Sequence, residues 1–299
     1  MRFADSSRGR PYAKDPAVVS VGEHYYMYYS IPPYLDDRPG NCWVIGIAES
    51  RDLAHWEKVG EILPEQPYEL NGICAPGAIV LGDTVHLFYQ TYGNGPKDAL
   101  CHATSTDGLH FVRDETNPIF RPTGEWNSGR AIDADVVDFQ GKLFLYFATR
   151  DPSSTIQQLG VATADLATSF GRSCWTQRSH DAILRPELPW EGECIEAPAT
   201  IVHDGRVYMF YAGAYNNWPQ QIGVAVSDDG IQWTRMSDVP FLPNGKPGEW
   251  NSSESGHPYI FAAPDGRTFL FYQGNADNGA TWYIASVEIG WNGGRPFII

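Results

Sequence analysis

Short apolar runs rich in β-branched and aromatic residues alternate along the chain with polar turns. A first and a second run are joined by a turn that contains glycine, and this unit recurs about every 60 residues, a regularity typical of repeat architectures. The turn glycines are Gly22, Gly82, Gly141, Gly205 and Gly266. A third apolar run follows each pair. An Asp-Gly turn, a strong hairpin signal, then precedes Phe111 and Trp233, which with Trp56 are predicted to open a fourth strand.

Each repeat therefore predicts four short antiparallel strands. No segment shows a sustained helical period of apolar residues, so the fold class is predicted to be all-β. Five repeats of four strands predict one five-bladed β-propeller, in which sheets are arranged radially around a central channel. We expect this propeller to be a single domain over residues 1–299.

Polar residues stand at the start of several predicted first strands. The first strand of a propeller blade lines the channel, so these residues are expected to converge although they are far apart in sequence. Alignment of the repeats on their glycines gives Asp15, Ala75, Asp133, Ala197 and His257, with Glu196 just before Ala197. Three carboxylates and one imidazole are thus predicted to meet on the axis.

Each of these residues alone has an ordinary structural explanation, because aspartate often forms turns before strands. Together they do not, because like charges gathered in one place are costly unless they serve a function. Grouped carboxylates suit glycoside hydrolysis. One carboxyl group must be protonated so that it can donate a proton to the leaving oxygen, and another must be ionised to act as base or nucleophile.

Composition and charge exclude several classes of partner. Only 21 Lys and Arg stand against 36 Asp and Glu, the net charge is −15, and no basic run occurs, which argues against nucleic-acid binding. No apolar run reaches the ~18 residues of a membrane span, and the first residues form no apolar signal segment. The five cysteines show no CxxC spacing. We therefore expect a cytoplasmic protein with reduced thiols and no membrane partner, and the oligomeric state stays open.

The axial motifs resemble those of glycoside hydrolase family 43 and its clan, which also contains families 32, 62, 68 and 117. The motifs are Lys14-Asp15-Pro16, Ile132-Asp133-Ala134-Asp135, Glu196-Ala197-Pro198 and Gly256-His257. The resemblance implies that Asp15 is the general base, Glu196 the general acid, and Asp133 the residue that orients the acid and tunes its pKa. Alanine follows Asp133 where the family usually has proline, so Asp135 remains an alternative third carboxylate.

The same resemblance implies a role for His257. In the family a histidine at this place approaches a channel ion, commonly calcium, through water. We therefore expect a calcium or sodium ion near His257 and no organic cofactor. In family 117, which acts on 3,6-anhydro-L-galactose ends, such a histidine is implied as the acid, and both roles remain open.

Loops before the axial residues supply candidate substrate contacts. Gly124-Glu125-Trp126-Asn127-Ser128 and Gly248-Glu249-Trp250-Asn251-Ser252 repeat one motif, and Trp190-Glu191-Gly192 is a looser version. Their tryptophans either stack on a sugar ring or pack as wedges between blades, and the sequence does not decide. Arg130 and the axial Ala75 complete the candidate substrate-binding set of Ala75, Trp126, Arg130, Trp190 and Trp250.

These observations predict an exo-acting, inverting glycoside hydrolase. Its expected substrate is a short oligosaccharide with a terminal pentose, an α-L-arabinofuranoside or a β-D-xyloside, and this choice rests on the resemblance. The alternatives are a retaining relative, a hydrolase of the family 117 type, a glycoside phosphorylase on the same fold, and a propeller that binds sugar without catalysis. A phosphorylase needs a basic phosphate site, and the sequence shows no cluster of arginine and lysine.

Overall fold

Five antiparallel sheets surround a central axis in the computed structural model, which describes residues 1–299. Blade one consists of β2 (Lys14–Val21), β3 (His24–Ile31), β4 (Val44–Ser50) and β5 (Glu57–Ile62). Blade two consists of β6 (Ile73–Leu81), β7 (Thr84–Thr91), β8 (Leu100–Ser105) and β9 (Val112–Arg113). Blade three consists of β10 (Ile132–Phe139), β11 (Lys142–Arg150), β12 (Gln157–Asp165) and β13 (Thr176–Gln177). Blade four consists of β14 (Ile195–His203), β15 (Arg206–Gly213), β16 (Gln221–Ser227) and β17 (Thr234–Arg235).

Blade five closes the ring with strands from both ends of the chain. It contains β18 (Glu254–Ala262), β19 (Thr268–Asn275), β20 (Tyr283–Asn292), and, paired with β20, both β1 (Arg2–Phe3) and β21 (Arg295–Ile298). Because the first and last strands share one sheet, the N-terminal segment ties the beginning of the propeller to its end. Helical structure is limited to four 3₁₀ turns: Pro67–Glu69, Gly95–Lys97, Arg172–Cys174 and Pro189–Glu191.

The prediction of an all-β, five-bladed propeller is confirmed. The first strands β2, β6, β10, β14 and β18 contact one another around the axis. Each predicted turn glycine has a positive φ, between 59° and 88°, which glycine adopts without steric cost. The short fourth strands begin one residue later than predicted, at Glu57, Val112 and Thr234.

Aromatic second strands hold neighbouring blades together. Tyr28 and Tyr146 are fully buried, and their hydroxyl groups donate to the carbonyl oxygens of Gly108 and Gly230 in the Asp-Gly turns of the next blade. A buried hydroxyl keeps its hydrogen bond in this way while its ring fills the space between sheets. These contacts fix the angle between blades and so fix where the axial residues stand.

No helix of the structure is long and apolar enough to cross a membrane. All five cysteines are free thiols.

Candidate active site

Every first strand begins with the same backbone distortion. At the five axial residues the strand register shifts, and φ is positive, between 42° and 54°. The residues are Asp15, Ala75, Asp133, Ala197 and His257. Positive φ is costly for residues other than glycine, and such strain clusters at functional sites. Here the bulge turns the side chains at the strand starts toward the axis.

The neighbouring blade stabilises this distortion through side-chain hydrogen bonds. The N–H of Asp15 donates to Oε1 of Gln273 at 3.1 Å, and the N–H of Asp133 donates to Oε1 of Gln90 at 2.8 Å. Both acceptors are buried. The bulged backbone therefore leaves no unsatisfied donor at these positions, and the two carboxylates are held on a rigid frame.

The predicted carboxylates do come together in one pocket of about 160 Å³. It is lined by Lys14, Asp15, Trp43, Cys74, Ala75, Gln90, Tyr92, Arg130, Ile132, Asp133, Glu196, Asn216 and His257. The pocket thus includes the three predicted catalytic residues, the predicted His257, and two of the five predicted substrate contacts, Ala75 and Arg130.

Two basic side chains flank Asp15. Nδ1 of His257 lies 3.1 Å from Oδ1 of Asp15, and Nζ of Lys14 lies 4.0 Å from the same oxygen. Burial raises the pKa of Asp15, but the positive charges of His257 and Lys14 and a hydrogen bond from Ser30 outweigh it, so the pKa is lowered overall. Asp15 is therefore ionised at neutral pH, as a general base must be.

Lys14 itself stays charged although it is half-buried. Burial lowers its pKa, but the negative charges of Asp15, Glu254 and Glu196, with the nearby Tyr12, raise it above its usual range. Its Nζ donates to Oδ1 of Asn216 at 2.5 Å and lies 4.5 Å from the ring centroid of Trp282.

Glu196 is held by amide groups from three loops and strands. Nε2 of Gln220 donates to Oε1 of Glu196 at 2.7 Å, and Nδ2 of Asn216 donates to the same oxygen at 3.1 Å. Gln157 donates to Oε2. Glu193, three residues before Glu196, is exposed and lies outside the pocket. These bonds fix the position and direction of the Glu196 carboxyl group.

Asp133 is the carboxyl group in the pocket whose pKa is raised. Burial raises the pKa to about 7, the negative charges of Glu196 and Asp15 add to the effect, and the positive charges of His257 and Arg130 oppose it. A carboxyl group that titrates near pH 7 keeps a proton in the pocket under neutral conditions.

Asp135 lies deeper and does not line the pocket. Its Oδ2 accepts hydrogen bonds from both the N–H (2.8 Å) and the hydroxyl group of Thr200 on β14. Regular strand alternation would place Asp133 and Asp135 on one face, but the bulge at Asp133 breaks that alternation. Of the two, Asp133 therefore occupies the position of a third carboxylate in the pocket.

Comparison with known proteins identifies the family. The profile of Glycosyl hydrolases family 43 matches residues 10–293. The chain belongs to this family. Family membership makes it an enzyme that acts on glycosidic bonds.

The individual relatives have low sequence identity to this chain. A 1,2-beta-oligomannan phosphorylase of Thermoanaerobacter sp. (strain X514) is 27% identical over 241 residues, which cover 76% of this chain and 70% of the relative. A xylosidase/arabinosidase of Bacteroides ovatus is 27% identical over 154 residues, 48% of this chain and 43% of the relative. The crystal structure of a thermostable family-43 glycoside hydrolase has a TM-score of 0.75 at 20% identity and covers 99% of this chain and 95% of that chain.

The tryptophans predicted to contact substrate, Trp126, Trp190 and Trp250, do not line the pocket that holds Asp15, Asp133 and Glu196. This corrects the expectation that they contact substrate there. A Cβ atom added to Gly160, Gly223 or Gly274 would lie 2.8 Å from the ring of a tryptophan. The rings are those of Trp126, Trp190 and Trp250, respectively. Each ring thus covers a glycine of its own blade, which is the packing alternative considered from the sequence.

Several pocket residues were missed by the sequence analysis. Trp43 and Tyr92 form one wall, with ring centroids 5.6 Å apart, and Asn216 reaches the axis from the loop after β15. These three residues stand in loops between second and third strands, so their distance to the axis depends on loop paths that no repeat pattern encodes. Lys14 directly precedes Asp15, and this adjacency was the one available signal.

The residues around His257 do not form a metal cage. No group of three or more His, Cys, Asp or Glu side chains is arranged to hold a metal ion, and Nδ1 of His257 is directed to Asp15. A calcium or sodium ion that contacts His257 through water stays a prediction.

Proposed function

We propose that the protein is an inverting, exo-acting glycoside hydrolase that releases a terminal pentose from a short oligosaccharide. The observation that carries this proposal is the single pocket shared by Asp15, Asp133 and Glu196. Its volume of about 160 Å³ equals that of about five liquid water molecules, a size that suits one sugar ring. The first substrates to test are α-L-arabinofuranosides and β-D-xylosides, a choice supported by the xylosidase/arabinosidase relative.

Asp15 acts as the general base in this mechanism. Its carboxylate removes a proton from water, and the water oxygen attacks the anomeric carbon on the face opposite the leaving group. His257 and Lys14 keep Asp15 ionised, because their positive charges offset the burial of the carboxylate. One displacement without a covalent intermediate inverts the anomeric configuration.

Glu196 donates the proton that the leaving oxygen needs. Its position is fixed by Gln157, Gln220 and Asn216. Asp133, whose pKa is about 7, keeps a proton beside Glu196 near neutral pH, so this pair of carboxyl groups holds the proton that is transferred as the glycosidic bond breaks.

The decisive experiment compares hydrolysis of p-nitrophenyl glycosides by the wild type, Glu196→Ala and Glu193→Ala. The panel contains α-L-arabinofuranoside, β-D-xyloside, β-L-arabinopyranoside and galactosides. We expect wild-type activity on a pentoside and little change in the exposed control Glu193→Ala. Glu196→Ala should lose activity, by on the order of 10²–10⁴-fold on a pentoside with a poor leaving group and by less on the p-nitrophenyl glycosides. Proton NMR of the first anomer released tests inversion. No activity on any pentoside, or equal losses in both variants, would reject the proposal.

Phosphorolysis is the second candidate reaction. It is favoured by one observation, the similarity over 76% of this chain to a 1,2-beta-oligomannan phosphorylase. Here a phosphate oxygen replaces water as nucleophile, so the product is a sugar 1-phosphate instead of the free sugar. Product analysis in phosphate buffer separates the two reactions.

A further inference from the structure

A second cavity of about 210 Å³ adjoins the catalytic pocket. It is lined by Gly95, Pro96, Ser128, Arg130, Arg150 and Ser154. Arg130 lines both cavities, so a ligand that fills the second cavity contacts the rim of the first. The wall contains two guanidinium groups and two hydroxyl groups, and no carboxylate.

Arg150 makes no hydrogen bond or ion pair through its side chain. Its Nε atom is buried without a partner, and its Cζ lies over the ring of Tyr215, 5.7 Å from the ring centroid. The adjacent Asp151 does not neutralise it, because that carboxylate accepts the backbone N–H groups of Thr155 and Ile156 at 2.7 and 2.8 Å. No group of the protein thus accepts a hydrogen bond from the Arg150 guanidinium.

Arg130 is only weakly paired. Its Nε is also buried without a hydrogen bond and lies 3.8 Å from Oδ2 of Asp98, while Nη1 donates to Oε1 of Gln157 at 3.3 Å. Gln157 in turn holds Glu196. Arg130 therefore links the second cavity to the general acid.

Two other partly buried arginines of this chain are paired with carboxylates. Arg113 and Arg235 each contact a fully buried glutamate, Glu69 and Glu191. The chain has a net charge of −15 and therefore an excess of carboxylates, but none of them pairs with Arg150. The half-buried Arg150 guanidinium thus keeps its positive charge beside the cavity with no carboxylate partner, so an oxyanion bound there gains charge-assisted hydrogen bonds.

We propose that Arg130 and Arg150 form an oxyanion subsite, which binds a carboxylate, phosphate or sulfate group next to the catalytic pocket. Planar guanidinium groups bind such oxyanions through two parallel hydrogen bonds, and Ser128 and Ser154 add hydroxyl groups. The subsite deepens the proposed function and rests on it, because it makes an acidic glycoside the preferred substrate. The oxyanion is a substituent of that substrate, and free phosphate is the other source of the same chemistry.

The test measures anion binding directly and needs no catalytic activity. Inorganic phosphate, sulfate and D-glucuronate, with D-glucose as the neutral control, are titrated into the protein by calorimetry at constant ionic strength. We expect the wild type to bind at least one oxyanion and Arg150→Gln to bind it at least tenfold more weakly. Arg206→Gln serves as the matched control, since Arg206 pairs with Asp228 and starts β15 at the opposite end of the propeller. It should bind as the wild type does.

A second variant guards against misfolding. Arg150→Lys keeps the charge but loses the planar fork, so it should retain the wild-type melting temperature and recover only part of the affinity. If neither phosphate, sulfate nor glucuronate binds, or if they bind equally to the wild type and Arg150→Gln, the subsite is rejected. Activity on neutral aryl pentosides is measured separately, so that failure of the subsite is distinguishable from failure of the proposed function.

Two further measurements identify the source of the oxyanion. If a substrate group occupies the subsite, phosphate competes with cleavage of acidic glycosides and the product is the free sugar. If free phosphate is the co-substrate, its oxygen bonds to the anomeric carbon while the glycosidic bond breaks, the leaving oxygen takes the acid's proton, and sugar 1-phosphate accumulates. The first outcome supports the proposal as stated. The second keeps the oxyanion site and overturns its assignment to the substrate.

Discussion

Nδ1 of His257 lies 3.1 Å from Oδ1 of Asp15, so the first and fifth blades meet through a side-chain contact at the proposed base. The contact depends on ring closure, because it joins residues from opposite ends of the chain. His257 thus has a role that needs no metal ion. It lowers the pKa of the carboxyl group that must be ionised for catalysis.

Replacement of His257 by Gln should shift the acid limb of the pH profile. The folded-state pKa of Asp15 is lowered by the charges of His257 and Lys14, so loss of one charge raises it. The acid limb of kcat/KM should move to higher pH by on the order of one unit, while kcat at the plateau changes less. The measurement is a pH profile on the best aryl glycoside. An acid limb at its wild-type position would contradict the role assigned to His257.

Asp135 predicts a pH dependence of stability that is separate from catalysis. Burial raises its pKa to about 7, so between about pH 4 and pH 7 the folded state binds a proton that the unfolded state has lost, and stability falls as pH rises. Asp135→Asn removes this titration and can still accept the N–H of Thr200.

We therefore expect the stability of Asp135→Asn relative to the wild type to increase between pH 4.5 and pH 7.5, by on the order of 2 kcal/mol. Thermal or urea unfolding at both pH values measures it. The exposed Asp138 on the same strand provides the control Asp138→Asn. A difference between Asp135→Asn and the wild type that is independent of pH would show that Asp135 does not titrate as its burial indicates.

The fold and the axial residues were predictable because they depend on one register. The turn glycines mark the same position in every repeat. Alignment of the repeats on these glycines places Asp15, Asp133 and His257 at equivalent strand starts. Blade geometry then brings them together. The role of the bulge was not predictable, since positive φ at these residues follows from packing against Gln273 and Gln90 and leaves no mark in the hydrophobic pattern.

The unpaired state of Arg150 was not predictable either. Arg130 precedes β10 and Arg150 ends β11. Only the path of the loop after β11 shows that the Asp151 carboxylate accepts backbone N–H groups of its own loop. For the tryptophans a signal was present. Glycines recur in the third strands, at Gly160 and Gly223, and glycine in a strand often marks the close approach of another group.

Trp190 should matter for stability and not for substrate affinity. Its ring stacks on Tyr211, with centroids 6.0 Å apart, and covers Gly223. Trp190→Ala is expected to cost on the order of 3–5 kcal/mol of unfolding free energy, with KM unchanged where the variant is folded. Trp218, which is 78% exposed, is the control for stability, and Trp218→Ala should melt as the wild type does. A stable Trp190→Ala with a raised KM would instead support stacking on sugar.

Gln220 should act as a positioning residue for the general acid. Its Nε2 donates to Glu196 (2.7 Å) and to the carbonyl oxygen of Ala214 (2.9 Å), and its Oε1 accepts the N–H of His257 at 3.1 Å. One buried amide thus joins the acid of blade four to the axial residue of blade five. Gln220→Leu leaves these groups unsatisfied, so it should lower the unfolding free energy by on the order of 2–4 kcal/mol.

The activity of Gln220→Leu separates positioning from mere stability. With Glu196 less firmly held, kcat should fall at least tenfold on a glycoside with a poor leaving group and less on p-nitrophenyl glycosides, because a good leaving group needs less protonation. KM should change little, since Gln220 does not line the pocket. The neighbouring Gln221→Leu is the control, because Gln221 accepts one backbone N–H from Asn244 at the periphery. Equal losses on both leaving groups at a temperature where Gln220→Leu is folded would show that Gln220 supports the fold alone.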